Sequence, residues 1–187
     1  MEETATKTET KRTPRGRVSF PSVFEPSSYQ DGPLKYSVTL LFDKATDLSE
    51  MKREAYRVEK AKWPSLPDAA IKARALAPFR DGDKKAVEGY AGNVHVRFSS
   101  KSAPAVVDQA KQPIAADSDR FYAGCWAHLS YGAFAYDLDV AKGVSFGLRN
   151  IQKLDDGPRL DNRTTADQDF DEVEFTAAAD DVDDFLS

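Results

Sequence analysis

The chain has 187 residues, 41% hydrophobic and 30% charged, a length and composition that suit one globular domain with tails and argue against a two-domain enzyme. Its net charge of −5 conceals a division: residues 1–163 carry 26 Lys+Arg against 22 Asp+Glu, whereas residues 164–187 carry nine acids and no base. A single cysteine, Cys125, excludes an internal disulfide framework, two histidines support a Cys/His zinc site poorly, and no run reaches the roughly 18 apolar residues of a membrane helix or resembles a signal peptide, so a cytoplasmic protein is expected.

Residues 1–14 alternate Thr, Glu and Lys with almost no bulky apolar side chain and read as a disordered arm. Val18 and Phe20 open a first strand. Leu34, Tyr36, Val38, Leu40 and Phe42 alternate with Lys35, Ser37 and Thr39, the period of a half-buried strand. Asp47, with Glu50 three residues on, predicts a helix start, and Leu48, Met51, Ala55 and Val58 form one apolar stripe to pack on a barrel. Asp68 starts a second, Ala-rich helix that ends before Pro78, and Arg80-Asp81-Gly82-Asp83 reads as a turn.

Val94, Val96 and Phe98 repeat the strand period, as do Val144, Phe146 and Leu148. Between them, Phe121, Ala123, Cys125, Ala127, Leu129 and Tyr131 form a small apolar face opposite Tyr122, Trp126 and His128. Small residues suit the inner wall of a narrow barrel. The expected fold is therefore mainly β with one or two helices, an OB-fold-like barrel over residues 15–155, followed by an acidic tail over residues 156–187.

No phosphate-binding loop, dinucleotide fingerprint or nucleophile elbow occurs, so no enzyme activity and no cofactor are expected. Asp81 and Asp83 could hold a divalent metal for a nuclease, but the intervening Gly82 and the following Lys84 and Lys85 favour a solvated turn. Cys125 reads as a small core residue.

The positive signal lies on the polar strand faces. Arg17, Lys35, Arg97 and Arg149 each take an outward position on a different strand, and Trp126 and His128 project from a fifth. Adjacent, they would form the basic, aromatic surface that holds single-stranded nucleic acid, with Lys153 adding charge and Tyr122 a second stacking ring. The alternative is that the cations are edge protection and Trp126 packs beneath a helix. The tail ends with Asp180, Asp181, Asp183 and Asp184 followed by Phe185 and Leu186, an acidic peptide with an apolar tip suited to docking on a partner or competing for the chain's own groove.

The run Arg17-Val18-Ser19-Phe20, then Val23-Phe24-Glu25-Pro26, Lys35-Tyr36-Ser37-Val38, Arg80-Asp81-Gly82-Asp83, Phe121-Tyr122-Ala123-Gly124-Cys125 and Gly147-Leu148-Arg149-Asn150-Ile151-Gln152-Lys153 resembles phage single-stranded-DNA-binding proteins with an OB-fold core. The resemblance implies an OB-type barrel that coats single strands during phage DNA replication or recombination, with an acidic tail that recruits replication or repair proteins. His128 stands where that family often carries arginine. A homo-oligomer is compatible with this reading. The opposing reading is a protein-interaction adaptor or inhibitor that acts through its tail without DNA.

Overall fold

The computed structural model describes residues 10–161 and 169–170. Its strands are β1 (Lys11–Arg12), β2 (Gly16–Ser27), β3 (Lys35–Asp43), β4 (Arg80–Asp81), β5 (Asn93–Ser100), β6 (Ala105–Val107), β7 (Trp126–Leu138) and β8 (Ala141–Asp155). Helices α1 (Ser49–Lys62) and α2 (Asp68–Leu76) fall between β3 and β4. Strands β2, β3, β5, β8 and β7 pair in that order, and β7 pairs back to β2, which closes a ring. All the ring's pairings are antiparallel except β5 with β8, where Phe98 opposes Phe146 and Ser99 opposes Gly147. Closure leaves the ring itself without free edges. Strands β1, β4 and β6 are short additions on β7, β5 and β8.

Alternation puts Val18, Val38, Leu40, Phe42, Val96, Phe98, Phe146 and Leu148 inside, all buried. Cys125, Ala127 and Leu129 are buried with them, the small face expected of the inner wall. The rings of Phe98, Tyr131 and Phe146 meet within 6.0 Å at the centre. Burial raises the pKa of both the Cys125 thiol and the Tyr131 phenol.

The apolar stripe of α1 lies on the barrel through the buried Met51 and Ala55. Asp47 accepts the Ser49 amide at 2.9 Å, so it serves the helix start from one residue before the flanking Leu48. One turn beyond Ala55, the fully buried Glu59 takes Arg74 of α2 at 3.4 Å, and Arg74 also lies 5.0 Å from the Trp63 ring.

Both expected domain limits move outward. Lys11 and Arg12 pair with Tyr131 and Ser130, and Thr13 is buried with its hydroxyl accepting the Leu129 amide. The ordered unit thus starts before residue 15. It also continues past Asp155: Leu160 donates its amide to the Ala123 carbonyl, and the Tyr122 hydroxyl bonds to Asp156 and Gly157. The expected partner-docking residues Asp180 to Leu186 lie outside the described residues. Among the described residues, no helix is long and apolar enough to cross a membrane.

Candidate nucleic-acid interface

A trough of about 680 Å³ runs across the outer face of β2, β3, β5 and β8. Its floor carries hydroxyls from Ser37 and Thr39 of β3, Ser99 of β5 and Ser145 of β8. Arg97 stands among them, donating to the Ser37 hydroxyl at 3.3 Å. Arg80 and Lys85 form one wall, and among the described residues no Asp or Glu lines the trough. Neither α1 nor α2 contributes a side chain to it.

The wall exists because the chain from β4 to β5 folds back tightly. Gly82 is buried where an added Cβ would lie 2.0 Å from the Tyr90 carbonyl oxygen, a spacing that only glycine permits. The return brings the Tyr90 hydroxyl to within 3.1 Å of the Ser19 hydroxyl and sets the Tyr90 ring edge-on to His95 at 5.0 Å. Lys85 then lies 4.9 Å above the Tyr90 ring and 5.7 Å above Phe20. His95 is nearly buried on the trough floor; burial lowers its pKa first, and the charges of Lys85 and Arg80 lower it further.

Regular alternation from the buried Val18 would turn Phe20 inward, but it points outward. The β2–β3 register slips between Ser19 and Ser22, so Phe20 falls in a bulge with φ of 44° and 60% exposure. A non-glycine residue in that region is strained. Pro21, which cannot donate to a ladder, is the sequence signal for the bulge. Tyr29 and Tyr136 also line the trough, and Phe134 is exposed on the same outer alternation of β7. These rings, with Arg80 and Lys85, are the residues that strand parity alone did not bring forward.

The parity reading of the remaining candidates divides. Arg97 is in the trough, Lys35 is paired in register with the trough residue Ser27, and Arg149 lies beyond Gly147 on the outer face of β8. The other candidates lie elsewhere. Arg17 donates to the carbonyls of Gly124 and Pro158 and ties down the chain after β8. Lys153 is only 7% exposed and is spent on the Arg120 carbonyl and Asp156, each within 2.6 Å. Tyr122 lies beneath Arg159, 4.4 Å away, and beneath Lys153, at 5.2 Å. Trp126 lies under Arg15 at 4.6 Å and beside Gly157, and His128 bonds Gln152 at 2.7 Å. None of these five lines the trough.

Lys44 settles the carboxylate pair in the β4 turn. Its ammonium is 3.1 Å from Asp81 and also binds Asp83; Lys44 holds the Asp81 carboxyl below its usual range, and the Gly92 amide, then Lys44, do the same for Asp83. A lysine thus takes the position a metal would need, and among the described residues no group of metal-ligating side chains forms a site.

Comparison with known proteins places this geometry in context. The family model described as "Enterobacter phage Enc34, ssDNA-binding protein" matches residues 8–186. Protein p50 of Acyrthosiphon pisum secondary endosymbiont phage 1 is 35% identical over 149 residues, covering 75% of this chain and 80% of that protein. The single-stranded DNA-binding protein of bacteriophage Enc34, solved in complex with ssDNA, superposes with a TM-score of 0.69 at 18% identity, covering 82% of this chain and 90% of that one. The gp2.5 single-stranded DNA binding protein of bacteriophage T7 gives 0.57 at 12% identity, covering 84% and 98%. At those identities the two solved structures speak for a shared fold.

Proposed function

The chain belongs to the Enterobacter phage Enc34 ssDNA-binding protein family, and on that premise we propose that it binds single-stranded DNA without catalysis along the trough on β2, β3, β5 and β8. The observation that carries this reading is the lining: Arg80, Lys85 and Arg97, with Phe20, Tyr29 and Tyr136, and no carboxylate among the described residues. Among the described residues none of the three cations meets an acid, whereas Lys44, Arg57, Lys60, Arg120 and Arg159 all do.

Free cations take phosphates, and exposed rings take the faces of bases. Base faces are available only in an unpaired strand, since a duplex stacks them away, and duplex reading by a helix in the major groove has no counterpart in the trough. Neutral serine hydroxyls on the floor can meet any base, which supports sequence tolerance.

In this reading the protein coats and protects single strands during phage DNA replication or recombination in the host cytoplasm. The nine acids after residue 163 make the tail the partner-docking segment, with Phe185 and Leu186 as its apolar tip.

The test is a polarisation titration of the full chain with labelled oligothymidylate and with a matched duplex. Strong preference for the single strand, lost when Arg80, Lys85 and Arg97 are together replaced by Ala, is the expected result. Equal affinity for the duplex, or an unweakened triple variant, would refute the assignment.

A further inference from the structure

The outer face of β8 does not stop at the trough. The rung Phe134–Ser145 borders it, and the next outward-facing rung along β7 and β8 pairs two glycines, Gly132 with Gly147, while Gly147 also opposes the trough residue Ser99 of β5. Beyond this rung the register slips: Tyr131 opposes Leu148 but Ser130 opposes Asn150, leaving Arg149 as the extra residue of a β8 bulge. The bulge exposes Arg149, which donates to the neutral Thr10 hydroxyl at 3.1 Å and meets no carboxylate among the described residues. On the other side of the glycine rung stands the Phe134 ring, 47% exposed.

The fold does not ask for glycine here. Neither residue has a positive φ. A Cβ on Gly147 would come no closer than 3.5 Å to the Gly132 carbonyl and 3.7 Å to the Phe134 ring, which is ordinary contact. On Gly132 the atoms nearest to it would be those of the flexible end of Arg149, from 3.3 Å. Glycine inside a strand weakens it and is found where another molecule approaches the backbone closely. With a cation on one side and an open ring on the other, the molecule that fits is one more nucleotide, its base against Phe134 and its phosphate on Arg149.

We propose that the single strand runs past the trough onto β8, where the bare backbone of Gly132 and Gly147 between Phe134 and Arg149 forms an additional nucleotide subsite. This rests on the trough being the single-strand site and extends its length.

The test is a length series of oligothymidylates titrated into the full-chain protein and into Gly147→Val, with thermal midpoints measured alongside. Valine suits a strand and its Cβ meets only ordinary contacts, so the midpoint is expected to be retained. Short oligomers that fill only the trough bind Gly147→Val as they bind the parent, while longer ones bind about tenfold more weakly, the loss of one stacked base. Phe134→Ser and Arg149→Ser, both at exposed side chains, give the same length-dependent loss and decide the matter should Gly147→Val not fold. Variants that match the parent at every length overturn the subsite and leave the trough standing. A loss of equal size at every length overturns it too, because the residues would then act within the trough. A parent chain that binds none of the oligomers overturns the trough assignment as well.

Discussion

Lys85 and Phe20 face each other at the mouth of the trough, with the ammonium 5.7 Å from the ring centroid. One supplies a positive charge and the other an exposed ring, so under the proposed function a base lying on Phe20 would place its phosphate within reach of Lys85. Each partner comes from an irregular segment, the β2 bulge and the loop after β4, and only the fold makes them neighbours.

Phe20 combines strain with exposure, so its removal should separate binding from stability. Phe20→Gly relieves the positive φ and uncovers little core. Its thermal midpoint should equal or exceed that of the parent, while single-strand affinity falls by about 1–3 kcal/mol, the worth of a stacked base. Calorimetry with a parallel binding titration checks both; an unchanged affinity would remove Phe20 from the site.

The cations set the salt response. If Arg80, Lys85 and Arg97 each neutralise one phosphate, the logarithm of affinity should fall against the logarithm of salt with a slope of about −2, at roughly 0.7 per phosphate for single strands. Lys85→Ala should make the slope shallower by about 0.7. Arg57→Ala, on α1 and already paired with Glu54, should leave it unchanged. A parent slope near zero would contradict phosphate binding altogether.

Trp126 provides the converse case. It is stacked under Arg15 away from the trough, so Trp126→Phe should bind oligothymidylate within about twofold of the parent, far less than the loss of one base stack. A loss comparable to that of Phe20→Gly would return the stacking role to β7.

His95 gives the trough floor a pH dependence of stability. Its folded pKa is depressed by burial, then by Lys85 and Arg80, below the ordinary imidazole value near 6.5. The unfolded chain therefore binds the proton more readily than the folded one. The associated stability is present above about pH 6.5 and is lost as the pH falls through the ordinary value toward the depressed one. Denaturant titrations at pH 7.5 and 5.5 should show a smaller drop in His95→Gln than in the parent; an identical drop would mean that His95 does not carry the effect.

Periodicity made much of the fold legible. Leu40 and Phe42, Val96 and Phe98, and Phe146 and Leu148 are buried as their alternation requires, and the stripe through Met51 and Ala55 does cap the barrel. Alternation failed where the backbone departs from a regular ladder. Phe20 is turned outward by its bulge, and β8 changes parity at Arg149, so that Ile151 and Lys153 are buried after Phe146 and Leu148. Phe134 and Tyr136 keep the outward alternation of β7 because the extra residue sits on the partner strand.

What the amino-acid order determined by itself was therefore the barrel's inner wall, the capping helix and a supply of outward cations, since side-chain direction follows local strand and helix period. Which of those cations remained available was decided only in three dimensions. Lys153 is consumed by Asp156, Arg17 by two backbone carbonyls, and Lys44 by Asp81 and Asp83, while Arg80, Lys85 and Arg97 converge on a trough that no acid among the described residues lines. A charge can serve a ligand only if no nearer partner in the folded chain has taken it, and sequence spacing does not record those long-range partners.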